Sequence, residues 1–197
     1  MNKVLGHLKT VHMHRKYVRK FCFMCGLYYQ GLVHDLSKYS PTEFGESIKY
    51  YTGTRSPIDV CKEKNDYSEA WFHHRGRNKH HYEYWYDRFD NGGYACKMPW
   101  KYVLEMVCDY LGAGAAYSGG IKKLSMESEL KWWKDKAKIA AIHPETKKVI
   151  DVIFHHMIKF GIKETLTSET YLKVVKDRYE SGYYKGKDIL PLLEIGK

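Results

Sequence analysis

Helix punctuation constrains this chain more than any other feature. Proline stands at the start of three runs with apolar residues at helical spacing, and glycine stands just past the end of two of them. "SPTEF" at 40–44 is the fullest example, with Ser40 as N-cap, Pro41 at the first helical position and Glu43 three residues after the cap. That helix is expected to run to about Tyr51 and to end in the turn "TGTRSP". Pro99 opens a helix over 99–117 that "SGG" closes, and Pro144 opens one over 144–160 with Gly161 beyond its end. The spacing predicts further helices over 2–30, 67–75, 77–87 and 125–141, with Gly76 loosening the join between the middle two. "DNGG" at 90–93 reads as a loop, and 162–197 as a basic, Tyr-rich tail with one helix at 168–180. No alternation of period two is strong enough to specify a sheet, so the expected fold class is all-α.

At 197 residues the chain is long enough for a sizeable core, organised as one domain or as one domain with a C-terminal extension. Its 33 Lys and Arg against 23 Asp and Glu leave a formal charge of +10, which attracts anions such as nucleotides, phosphoesters and nucleic acid. No stretch reaches the ~18 apolar residues of a membrane span. Five cysteines without a secretory leader fit a reducing compartment, so a cytoplasmic location is expected. Cys22 and Cys25 form a C-x-x-C on a helical segment with no second pair, which favours core packing over zinc or redox chemistry.

The chemistry lies in the ionisable residues. "LVHDLSK" at 32–38 sets His34 beside Asp35 in an apolar context, with Lys38 three residues after the acid. On a helix, His34 and Asp35 are 100° apart and able to share one cation. His14 borders the apolar face of the first helix, where an imidazole needs a partner or a metal, whereas His12 points well away from that face. In 99–117, Val103, Val107, Tyr110 and Leu111 form an apolar stripe; Glu105 and Asp109 lie opposite it, among Gly112, Ala113 and Ala116. Small neighbours leave room for something to approach Asp109, although a solvated acidic face explains the stripe equally well.

The order H…HD…D on predicted helices resembles the HD superfamily of metal-dependent phosphohydrolases. "HRKYV" at 14–18 looks like its first-helix signature, "HDLSK" at 34–38 like its HD segment, and Asp109 in "EMVCDYLGAG" stands where its closing Asp would be. The resemblance implies metal ligands at His14, His34, Asp35 and Asp109. A closer likeness, over 7–117, is to a narrower HD-like family of bacteria and their phages, carried by "HDLSKYSPTEF", "AWFHHRGRNKHHYEYW" and "MPWKYVLEMVCDY". It implies an HD-like helical core over 1–120 and a metal site, with no assigned substrate; 121–197 would add C-terminal helices and the basic tail.

The middle block contributes two neighbouring rows if its helix survives Gly76: His73, Arg77 and His80, and His74, Asn78 and His81. Two-metal members of the superfamily supply extra histidines between the HD pair and the closing Asp. His74 is the expected additional ligand, with His73 next, and His80 or His81 would assist proton transfer. Lys38, Arg77 and Asn78 are expected to bind substrate, and Lys38 also to protonate a leaving oxygen. The bland alternative is a basic surface helix with Tyr82, Trp85 and Tyr86 beneath it. One departure matters: some nucleotidase members carry Glu three residues after the HD Asp, and here that position is Lys38.

These readings converge on a hydrolase for a nucleotide or other phosphoester, cyclic and oligonucleotide messengers included, using one or two divalent ions (Mn, Fe, Ni, Co, Zn or Mg). A non-catalytic HD-like module that holds nucleotide or RNA, with "VVKDRYESGYYKGK" at 174–187 as a nucleic-acid contact, is a competing reading; nucleic acid is the less favoured partner. A di-iron HD-like oxygenase is a third, distinguished by oxygen consumption. The oligomeric state is left open.

Overall fold

A computed structural model describes residues 2–89 and 92–186; Asp90 and Asn91 of the expected loop, and 187–197 of the expected tail, lie outside the described residues. The fold is predominantly α. Among the described residues ten α-helices follow in order: α1 (Lys3–Met24), α2 (Tyr28–Val33), α3 (Pro41–Tyr50), α4 (Pro57–Asn65), α5 (Glu69–Arg77), α6 (Trp100–Ser118), α7 (Met126–Ile139), α8 (Pro144–Phe160), α9 (Ile162–Thr167) and α10 (Glu169–Glu180). Between α5 and α6 a small antiparallel hairpin pairs β1 (Tyr86–Phe89) with β2 (Gly92–Ala95), Tyr86 opposite Ala95.

Helix α6 is the axis of the molecule. It buries residues on every side, from Val103 through Leu111 and on to Gly112 and Ala115. Of the two readings of the acidic stripe, the solvated face is excluded: Glu105 and Asp109 are buried with the rest. Helix α1 lies along α6 with Val18, Phe21 and Cys22 fully covered, and α8 contributes Val149, Ile150, Ile153 and Phe154. Each such aliphatic or aromatic side chain contributes about 1.5–3 kcal/mol on leaving water. One apolar cluster runs from Val18 to Tyr184, so the C-terminal helices share the core of the N-terminal ones. The closeness of α1 and α6 depends on Gly112. A Cβ there would meet the Val18 backbone nitrogen at 3.0 Å and its side chain closer still.

Three local expectations are corrected. The helix over 2–30 stops at Met24; Cys25 caps it, Gly26 turns the chain at φ 77°, and α2 begins at Tyr28 with Gly31 inside it. Residues 77–87 are not a helix. The Asn78 amide donates to the His74 carbonyl at 2.8 Å and the Trp85 indole donates to the Lys79 carbonyl at 2.7 Å. The Asn78 backbone N–H still donates to the His74 carbonyl at 3.1 Å, but the helix goes no further, and a 3-10 turn (Tyr82–Trp85) leads into the hairpin. Helix α4 was not expected, although Ser56, Pro57 and Asp59 repeat the start signature of "SPTEF". Among the described residues no helix is long and apolar enough to cross a membrane.

The three cysteines Cys22, Cys25 and Cys108 are free thiols packed together, with Cys25 Sγ 3.8 Å from Cys108 Sγ. Cys22 and Cys108 are buried in the core, as the C-x-x-C reading favoured.

Candidate metal centre

His34 and Asp35 do not lie on a helix. His34 caps α2, and Asp35 takes the left-handed conformation at φ 54°, ψ 26°, before a 3-10 turn (Leu36–Tyr39). A non-glycine residue there costs roughly 1 kcal/mol, least for Asp and Asn. Arg15 holds the turn in place. Its Nε donates to the His34 carbonyl at 2.7 Å, one terminal nitrogen donates to the Leu32 carbonyl at 3.0 Å, and the other to the Tyr39 hydroxyl at 3.3 Å. The kink aims the two Asp35 oxygens in different directions.

Oδ2 faces the first group. It lies 3.3 Å from His14 Nε2 and 3.5 Å from His34 Nε2. Asp109 Oδ1 completes the group, 3.0 Å from His14 Nε2 and 3.2 Å from His34 Nε2. Thus α1, the kink and α6 bring His14, His34, Asp35 and Asp109 together. Oδ1 faces the second group, 3.3 Å from His74 Nε2 and 3.4 Å from His80 Nε2, with His81 also within reach. Asp35 belongs to both.

These separations suit a cation. Donors ~2.1 Å from one ion stand about 3.0–3.4 Å from each other at octahedral to tetrahedral angles. The ring protons point the same way. His34 Nδ1 lies 3.0 Å from Glu105 Oε1, and donation there leaves the Nε2 of a neutral ring as an acceptor facing two carboxylate oxygens. Asp35 Oδ1, His80 Nε2 and His81 Nε2 are buried without a hydrogen-bond partner among the described residues. Buried His, Asp and Glu clusters of this kind can bind a metal ion, and the residues present fit one.

Two glutamates orient the rings from outside. Glu105 Oε1 accepts from both His34 and His80, whose Nδ1 is 3.1 Å away. Glu43 accepts from His73 Nδ1 at 2.6 Å and from His74 Nδ1 at 2.7 Å. Carboxylates behind ligand histidines fix the tautomer and raise ligand basicity. One turn further along α3, Glu46 caps α5 by accepting from the Glu69 and Ala70 amides at 3.0 and 3.3 Å, so α3 positions the whole of α5. Sequence reasoning did not assign these outer roles; the signal for Glu105 was its place one turn before Asp109.

Burial opposes every charge in the cluster; neighbours outweigh it at Asp35, Asp109 and His80 and reinforce it at His81. It raises the Asp35 pKa, but His34, Lys38 and His74 bring the carboxyl well below its usual range. Asp109 behaves alike: burial raises it, and His14 and His34 pull it well down. His80 is lowered by burial yet pushed up to about 10 by Asp35 and Glu105. His81 is carried well below its ordinary value by burial, then by His80 and His74.

Lys38 lies at the edge of the cluster, its Nζ 2.7 Å from Asp35 Oδ2 and its side chain 27% exposed. The other expected substrate groups are placed differently. Arg77 is exposed at the end of α5, its guanidinium 3.4 Å from the His73 carbonyl. The Asn78 amide nitrogen is engaged by Ser37 Oγ at 2.8 Å and by the His74 carbonyl. His80 and His81, expected as proton carriers, stand among the second group of donors, and His73 is held outside it by Glu43. His12 is exposed and bonded to the Tyr39 hydroxyl at 3.1 Å.

A sequence model described as a family of unknown function, DUF5662, matches residues 3–156, which contain every residue of the cluster. No curated protein and no solved structure matches the chain.

Proposed function

Since the chain belongs to the DUF5662 family of unknown function, the site itself must carry the reading, and we propose a metal-dependent phosphohydrolase acting on a nucleotide or other phosphoester. The observation that carries it is the position of Asp35. One carboxylate presents Oδ2 to His14 and His34 and Oδ1 to His74 and His80, as a group bridging two cations does. On this reading His14, His34, Asp35 and Asp109 would hold one ion, and Asp35, His74, His80 and His81 the other. The resemblance to HD phosphohydrolases supports the same assignment.

A divalent ion bound there would supply Lewis acidity, which lowers the pKa of water toward about 7 in favourable sites. The side chains do the rest. Glu105 and Glu43 keep the ligand rings aimed inward. Lys38, paired with Asp35 and partly open to solvent, is a point charge suited to a phosphoryl oxygen or to protonating the leaving oxygen. It occupies the position where some HD nucleotidases carry Glu, so the chain's own base is not a carboxylate at that place. The net charge of +10 favours an anionic substrate.

The test combines metal analysis with a panel of mono-, di- and cyclic nucleotides incubated with Mn-loaded native protein and with Asp35→Asn. Release of phosphate or nucleotide by the native protein alone supports the proposal. Oxygen consumption by iron-loaded protein without phosphoester cleavage would replace it with an oxygenase. Ligand binding without metal or turnover would replace it with a binding module.

A further inference from the structure

A second charged feature lies outside the metal cluster. A groove of about 630 Å³ runs between α1 and the segment after α6, with Lys16, Arg19, Lys20, Phe23, Lys122 and Lys123 in its lining. Half of its lining is cationic and none is acidic. Lys16, Arg19, Lys20, Lys122 and Lys123 are all exposed, and none pairs with a carboxylate among the described residues. Elsewhere on the surface such pairs form, as between Lys138 and Asp135 at 2.7 Å or Lys173 and Asp177 at 3.5 Å. Five uncompensated like charges around one concavity repel one another and concentrate anions in the space between them.

The groove also carries aromatic surface. Phe23 is 39% exposed in its lining, and its ring meets that of Tyr28 edge-on at 5.4 Å. Tyr28 and Tyr29 are 62% and 71% exposed, so the aromatic surface continues past the groove onto α2. A row of cations beside exposed rings is the arrangement that takes phosphates along a strand while bases stack. The site is concave, which suits a strand better than a flat bilayer. The five charges also exceed what a mononucleotide neutralises.

We propose that the groove between α1 and the segment 119–123 binds single-stranded nucleic acid, with Lys16, Arg19, Lys20, Lys122 and Lys123 on the phosphates and Phe23 and Tyr28 stacking on bases. This surface is separate from the metal cluster, and the inference does not depend on the proposed hydrolysis.

The experiment measures fluorescence anisotropy of labelled 20-nucleotide single-stranded DNA and RNA over a salt series with the full chain. The variant Lys16→Glu/Lys20→Glu/Lys122→Glu is compared with Lys134→Glu/Lys159→Glu/Lys173→Glu, which changes net charge equally away from the groove. Thermal melts of both report folding. The groove variant is expected to lose at least tenfold in affinity relative to the control and to show a shallower salt slope. Phe23→Ala is expected to lose about tenfold with the slope unchanged, because stacking is lost and phosphate contacts are kept. Equal loss in the two triple variants would overturn the proposal, as would no binding at low salt. So would tighter binding to vesicles of anionic lipid that Phe23→Ala and the groove variant both abolish, which would make the surface a membrane contact.

Discussion

Gly112 of α6 lies against Val18 of α1 so closely that even a Cβ would meet the Val18 backbone. His14 is one turn before Val18, and Asp109 is one turn before Gly112. The contact that sets the distance between the two helices therefore also sets the 3.0 Å between His14 Nε2 and Asp109 Oδ1. Gly112→Ala is expected to push α1 outward, lowering stability by about 1–3 kcal/mol and weakening metal retention. Chemical denaturation and metal content after dialysis check the two effects. Full metal retention in a destabilised variant would separate the packing from the site.

Asp35 is where the two donor groups meet. Asn accepts the left-handed backbone nearly as well as Asp, so Asp35→Asn should fold. On the two-ion reading it loses the charge the two groups share, and bound metal is expected to fall from two ions per chain to less than one. His74→Ala should remove only the second. Elemental analysis of both variants beside the native protein distinguishes these outcomes, and equal stoichiometry in all three would exclude the two-ion reading.

Glu105 serves both groups through one oxygen. Glu105→Gln keeps the shape but turns the carboxylate into a weaker acceptor for His34 and His80. Loss of such an outer carboxylate usually lowers metal affinity about 10- to 100-fold. Competition with a chromophoric chelator measures this, and Glu43→Gln should affect the second group alone.

The quartet His14, His34, Asp35 and Asp109 was visible in the sequence because each residue stands in a recognisable local context. Two of the four come from helices that periodicity reveals. The reason first given for the HD pair, adjacency on a helix, does not hold: the chain kinks at Asp35, a left-handed turn that no periodicity announces. His80 and His81 were placed on a helical row with His73 and His74, and they reach the cluster instead through the turn after Asn78. What ends that helix is tertiary, a Trp85 indole on the Lys79 carbonyl and Asn78 on Ser37. Helix α4 differs, because its start is legible in Ser56, Pro57 and Asp59, while its nine residues are too short for a clear apolar period.

His7 gives a pH dependence away from the cluster. Its ring packs between Phe44 and Tyr51, with Nδ1 buried and unbonded among the described residues. Burial, with Lys38 adding, lowers its pKa from 6.5 to about 4. The unfolded chain therefore takes up this proton first. The contribution of His7 is complete above pH 6.5 and is lost as pH falls toward 4. His7→Leu should show a shallower decline across that window, with a difference on the order of 2 kcal/mol accumulated by pH 4. Denaturation at several pH values reads the difference directly, and parallel curves for the two proteins would show that His7 titrates normally.

The backbone around the two donor groups is unequal. Three members of the first are fastened by long helices and the Arg15 clamp; two members of the second stand on the irregular stretch after α5, tied down by a few side-chain bonds. The first half of the centre is thus held by more regular backbone than the second, so one ion is expected to be retained more firmly than the other. Stepwise chelation ought to strip the ion beside His80 and His81 first, and a single loss phase for both would contradict that asymmetry. If the two sites fill in that order, occupancy of the second would follow the ion supply while the helices that hold the first stay in place.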